Sequence, residues 1–221
     1  MACNAGPDII EDGLLISLDA SNTRSYPGTG TTWTDLKGRN NGTLTNGPTF
    51  SGDNGGSLVF DGTDDYVDLS TSFLDVSANQ GLTISVWIKT TDSSGNIFTY
   101  VSSGTSDFFF TVNSNALRFQ WTTYAGKSVT QTTATGTSNI ADGDWHLLVG
   151  TRDSTGVFRV YVDGVLEGTS SSSPQSGALS ASGGSLCPTL ASNCSLFCAY
   201  DRELTADEIR QNYSATIGRY T

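Results

Sequence analysis

The chain has 221 residues, a formal net charge of −11 and only 15% charged residues. That balance excludes nucleic acid as a partner, because a binder needs a basic face to displace phosphate counterions. It also argues against an anionic membrane surface, and no run is long and apolar enough to span a bilayer. The length suits one large all-β domain with a core that needs no disulfides. Thr, Val, Tyr and Phe, which favour strands, outweigh helix formers such as Glu, Lys and Met.

The opening run MACNAGPDIIEDG has no basic n-region and no apolar h-region, so a chain made and folded in a cytoplasm is expected. Residues 1–13 are read as an N-terminal arm before a sandwich domain over 14–221. GLLISLDA alternates in the manner of a strand, and the segment after it, residues 21–50, is rich in Pro-Gly, Asn-Gly and Gly-Pro turn signals. Tyr26 and Trp33 lie in that segment and are the candidates for an exposed aromatic that stacks on a sugar.

SLVFDGTDDYVDLS, residues 57–70, brings four aspartates into eight positions. SLVFDG and DYVDL read as two strands of a hairpin about an Asp61-Gly62 turn, with Asp64 and Asp65 at its far end. The spacing is not that of an EF-hand loop. LTISVWIKT, IFTYVS, DFFFTVN, ALRFQWTTY and WHLLVGTRD follow as strands, and VFRVYVDGVLEGT as a hairpin about Asp163-Gly164. Trp87 and Trp121 are expected inside.

Residues 168–185 form a Ser/Gly-rich loop. Alternation in SNCSLFCAYDREL puts Cys194, Leu196, Cys198 and Tyr200 on one face. The four cysteines (Cys3, Cys187, Cys194 and Cys198) show no zinc spacing; they read as small buried hydrophobes, with a Cys187–Cys194 bridge open to them in an oxidising compartment. In LTADEIRQNY, Thr205 and Glu208 form a capping box, and Leu204 and Ile209 a hydrophobic staple, which predicts one short C-terminal helix.

Catalysis is not expected. Glu11, Glu167, Glu203 and Glu208 are scattered, whereas a glycosidase needs two carboxylates facing one bond. The single histidine, His146, is read as a strand residue partnered to backbone.

Taken in order, GGSLVFDGTDDYVDL, GLTISVWIKT, DGDWHLLVGTRD, VYVDGVLEG and AYDRELTADEIRQNY resemble the laminin-G-like branch of the concanavalin A-like sandwich superfamily, over about residues 13–213. The resemblance implies a two-sheet antiparallel jelly roll. It also implies calcium at the sandwich rim, for which Asp61, Asp64 and Asp65 are the ligands named, with Asp19 and Asp201 as further donors. SLDASNTRSYPGTGTTWTDLKGRNNGTLTNGPTF is similar to a stretch in laminin-G-like virion proteins of tailed bacteriophages. That similarity implies a non-enzymatic structural component of the virion, decorating the capsid or sitting on the tail or fibre. Its partners would be a major capsid or tail protein, further copies of itself and a host surface glycan. The alternative is a secreted, extracellular carbohydrate-binding or adhesion module.

Overall fold

A computed structural model describes residues 7–69, 74–101, 106–125, 128–171, 174–175, 177–178 and 183–221. The strands in chain order are β1 (Leu14–Asp19), β2 (Thr32–Trp33), β3 (Gly42–Thr45), β4 (Thr49–Ser51), β5 (Ser57–Asp61), β6 (Tyr66–Leu69), β7 (Leu82–Thr90) and β8 (Ser94–Val101). They continue as β9 (Ser106–Asn113), β10 (Ala116–Ala125), β11 (Ser128–Thr135), β12 (Trp145–Arg152), β13 (Phe158–Val162), β14 (Val165–Thr169), β15 (Gly184–Leu186) and β16 (Ala191–Tyr200). One helix, α1 (Ala206–Thr216), follows.

Two antiparallel sheets face each other. Sheet A runs β14-β13-β12-β7-β16-β5-β4, with β1 also paired to β16, and sheet B runs β11-β10-β9-β8-β15-β6-β3-β2. The two-sheet sandwich with a short C-terminal helix is therefore as the sequence indicates. Leu82, Ile84, Val86 and Ile88 of β7 enter the inter-sheet core, as do Phe108, Phe110, Phe119 and Trp121 of sheet B. Rings there meet edge to face, Phe108 on Phe119 at 4.7 Å and Phe119 on Phe158 at 5.0 Å, the arrangement that the ring quadrupole favours. Gly150 makes room for this cluster, since a Cβ on it would lie 2.9 Å from both Phe110 and Phe119. Arg152 is wholly buried with its guanidinium carbon 4.5 Å over the Trp121 ring, and burial pushes its pKa down to about 10.

Several expectations are corrected. β5 and β6 are not a hairpin: β5 pairs with β4 and β16 in sheet A, and β6 with β3 and β15 in sheet B. The Asp61–Asp65 run is thus a corner between sheets. Gly62, at φ +75°, lets it turn against Ala191, whose backbone nitrogen would lie 2.6 Å from a Cβ at that position. Cys194 does not share a face with Leu196, Cys198 and Tyr200. The register of β16 shifts between Cys194 and Leu196, and one extra residue, Ser195, reverses the alternation. Cys194 therefore faces the inter-sheet core, while the other three face outward under the helix. Cys187, Cys194 and Cys198 are free and buried, with burial raising the Cys194 thiol and pushing Cys198 up to about 12; Cys3 lies outside the described residues. The Ser/Gly-rich stretch, where it is described, includes β15, a full partner of β6 and β8. SVTQTTAT, whose apolar alternation is weak, forms β11.

Trp87 is buried, but on the outer side of sheet A. There α1 covers a second apolar layer with Leu147, Val149, Tyr161, Leu196, Tyr200 and Ile209. The helix begins as its capping box dictates: Thr205 Oγ1 accepts from the Glu208 amide, and the Glu208 carboxylate accepts from the Thr205 amide. Arg202 adds two bonds to the same carboxylate, at 2.7 and 3.0 Å, and holds the Glu208 pKa down at about 2. The helix is anchored by its buried side. Trp87 Nε1 donates to Thr216 Oγ1 at 2.7 Å, and the Tyr220 ring stacks 4.2 Å from Trp87. Residues 8–12, part of the segment expected as an arm, lie against it: Ile10 N donates to Asn212 Oδ1, and Gln211 Nε2 to the Asp8 carbonyl.

Candidate functional site

The acidic corner is organised by its own backbone. Asp61 Oδ1 accepts from the Thr63 amide at 2.8 Å, and Asp65 Oδ2 accepts from the Asp61 amide at 3.2 Å. Backbone amides, that of Thr63 above all, hold Asp61 below the usual carboxylate range, whereas burial raises Asp65 against the pull of the Asp61 amide, with the Asp61 and Asp64 charges adding to the rise. One carboxylate oxygen from each of Asp61, Asp64 and Asp65 lies within 4.8 Å of the others. The donor set is hard oxygen and the mutual repulsion is of the kind a cation relieves, so the corner fits part of a calcium shell; such an ion takes about six to eight oxygens. Asp19 and Asp201 do not join it. The Asp19 carboxylate is held by Arg219 at 3.0 Å, and Asp201 sits beside Gly13.

Tyr26 and Trp33 are corrected as exposed aromatics. Tyr26 is 4% exposed and Trp33 wholly buried, so neither offers a free face to a ligand. Tyr26 donates its hydroxyl to the Gly30 carbonyl and packs on Phe50, which anchors the turn-rich segment. The same segment is tied down by Asp35, whose buried carboxylate accepts from the amides of Ser17, Lys37, Arg39 and Asn40.

His146 is not partnered to backbone. Its Nδ1 lies 2.8 Å from Asp163 Oδ2 and its Nε2 3.2 Å from Asp142 Oδ1, and the Asp163 bond is the largest cause raising its pKa. The four glutamates are each held in contacts of the fold: Glu11 with Lys37, Glu167 with Ser138, Glu203 with Arg159, and Glu208 with Thr205 and Arg202.

The outer face of sheet B carries an open groove with a mostly polar lining. Because Phe108 and Phe110 point into the core, Phe109 between them must point out. Leu117, Phe119 and Trp121 likewise leave Arg118 and Gln120 on the outer side. Register then aligns Phe109 with Gln120, and Thr111 with both Arg118 and Asn96. These residues line an open cavity of about 550 Å³, with Asn113 and Thr189 at its edge. An aromatic ring among amides, hydroxyls and a guanidinium offers stacking and hydrogen bonds together. Among the described residues the lining includes Arg118 and no carboxylate, in a chain of net charge −11. Phe109 and Arg118 were not among the residues expected to bind, although the alternation of DFFFTVN and ALRFQW carried the signal.

Two antiparallel sheets packed face to face, with one short helix on the outer side of sheet A, make a jelly-roll-type sandwich. The model of the Concanavalin A-like lectin/glucanases superfamily (Laminin_G_3) matches residues 61–210, and the chain belongs to that family. No curated protein matches it. Among solved structures it is similar to the botulinum neurotoxin serotype D binding domain, at 13% identity and TM-score 0.69, over 94% of this chain and 53% of that one. It is also similar to the serotype D ligand binding domain in complex with N-acetylneuraminic acid, at 12% and 0.68, over 94% and 52%. A third is a botulinum neurotoxin type C structure, whose cell entry is described as dependent upon two ganglioside molecules, at 14% and 0.67, over 92% and 51%. At these identities the likeness is one of fold, and the chain spans about half the length of the solved structures it matches.

Proposed function

We propose that the chain is a non-enzymatic carbohydrate-binding module whose ligand lies in the groove on the outer face of sheet B. The observation that carries this is Phe109, presented outward from a strand whose neighbouring rings are core, with Arg118 and Gln120 beside it. Membership of a lectin-containing superfamily supports it, as do the N-acetylneuraminic acid complex and the ganglioside-dependent neurotoxin among the structures that share the fold. Arg118, with no acid in the lining, favours a saccharide that bears a carboxylate or sulfate. Such a module works at a cell surface or in the extracellular space. The residues behind the particle-component reading have work in the fold itself: Trp33 is core, and Asp35 holds its own loop. The solved structures compared above say nothing of a virion.

Calcium at Asp61, Asp64 and Asp65 belongs to this proposal as a brace of the corner, remote in sequence from the groove residues. A glycan array of neutral, sialylated, uronate and sulfated saccharides, run with calcium and with chelator, tests both parts. The expected result is binding to acidic glycans that falls at least tenfold in Phe109→Ala and Arg118→Gln. An array with no hits in either condition overturns the module. A melting temperature unmoved by calcium removes the ion alone.

A further inference from the structure

The helix covers only part of the outer face of sheet A. Beyond its end, Trp145, Lys89 and Asn193 stand in one row across β12, β7 and β16. They line a cavity of about 200 Å³, with Asp53 and Asn54 from the turn after β4 on the opposite rim. A second cavity of about 260 Å³ adjoins it and shares Lys89 and Asn193. Trp145 is half-buried and braced from two sides: its ring lies 4.8 Å from Tyr220, and its Nε1 donates to Asn54 Oδ1 at 3.3 Å. Asn54 reaches it from a left-handed backbone conformation, φ +52°. Asn193 Nδ2 donates to Ser57 Oγ, which fixes the amide at the floor of the cavity. The Lys89 ammonium has no hydrogen-bond or ion-pair partner among the described residues.

We propose that this cavity is a second binding site, for a single sugar ring, on the face of the sandwich opposite the sheet B groove. The chemistry is that of a polyol. Each sugar hydroxyl both donates and accepts, and the cavity supplies a donor (Lys89), an acceptor (Asp53) and groups that do both (Asn54, Asn193) beside an indole. A purely structural role for these residues is served by the Asn54–Trp145 and Asn193–Ser57 bonds, but it leaves Lys89 and the cavity without a use. This inference rests on sheet A and not on the groove, so either can fail without the other.

Three of the four tryptophans, Trp33, Trp87 and Trp121, are wholly buried, so a solute quencher reports on Trp145. The experiment is iodide quenching of the full chain with galactose, N-acetylglucosamine, glucuronic acid or N-acetylneuraminic acid at millimolar concentrations. The expected result is that at least one sugar cuts the quenching constant by about half. That protection disappears in Asn193→Ala and Lys89→Gln and survives in Phe109→Ala. No protection by any sugar, or protection unchanged in both Asn193→Ala and Lys89→Gln, overturns the site. Circular dichroism of each variant shows that the fold is kept. Loss of protection in Phe109→Ala as well would assign the signal to the sheet B groove and equally overturn it.

Discussion

The two outer faces of the sandwich are built on opposite principles. That of sheet A carries Trp87, Leu147, Val149, Leu196 and Tyr200, which would be an exposed apolar patch if α1, Tyr213 and Tyr220 did not cover it. That of sheet B carries Thr, Gln, Arg and Asn with Phe109 among them around an open groove, and no helix covers it among the described residues. The apolar layer under the helix is a second core, whereas the polar groove residues of sheet B are open to solvent. Substitutions under the helix and in the sheet B groove should therefore differ in kind, with loss of stability in the first and loss of binding in the second.

Trp87→Ala should produce the largest effect. It empties the centre of the covered layer and leaves Thr216 and two tyrosine rings without their partner, which should cost about 4 kcal/mol in urea unfolding. If the loss were under 1 kcal/mol, the covered face would not be a second core. Arg219→Ala comes next. Arg219 ties the segment after α1 to the buried Asp19 at the end of β1, and its removal leaves that carboxylate without its charged partner, for about 2 kcal/mol. A smaller effect follows pH. His146 has a folded pKa raised above 6.5 by Asp163, so its contribution is fully present below pH 6.5 and is lost as pH rises through the folded value. Glu208 behaves in the opposite sense: its contribution is present above 4.5 and is lost as pH falls towards about 2. Urea midpoints measured from pH 3 to 9 should decline at both ends, and His146→Gln should flatten only the upper decline. Phe109→Ala and Arg118→Gln should have the smallest effect on stability, within about 0.5 kcal/mol, while weakening acidic-glycan binding in the sheet B groove at least tenfold. A large stability loss in either would return the groove to the scaffold.

This contrast also marks what the sequence disclosed. The helix was legible because capping is local chemistry: Thr205 and Glu208 sit three residues apart and satisfy each other, and Leu204 and Ile209 close the same turn. The long strands were legible from alternation, Leu82 to Thr90 above all. What failed depended on one residue of register or on partners far away in the chain. The bulge at Ser195 reversed Cys194 against Leu196, and no local pattern announces a bulge. The Asp61-Gly62 turn had hairpin chemistry, yet the strands on its two sides pair with different sheets. Tyr26 and Trp33 looked exposed because their segment is full of turn residues, but a loop of that length needs anchors and they are the anchors. The alternation that placed Trp121 in the core also placed Arg118 and Gln120 opposite it, so half of the groove could have been found from one strand.

The position of β16 has a consequence for how the molecule is made. This strand, residues 191–200, pairs with β7 along one side and with β5 and β1 along the other, so the middle of sheet A is a late-synthesised segment joining three early ones. On a ribosome the hairpins β8 to β11 can assemble as they emerge, because each partner follows directly. Sheet A must wait, with the β16-facing backbone edges of β1, β5 and β7 unpaired, until β16 arrives. That order makes folding slow, raises the hazard of aggregation before residue 200 is translated, and makes a premature stop before β16 far more damaging than one after α1.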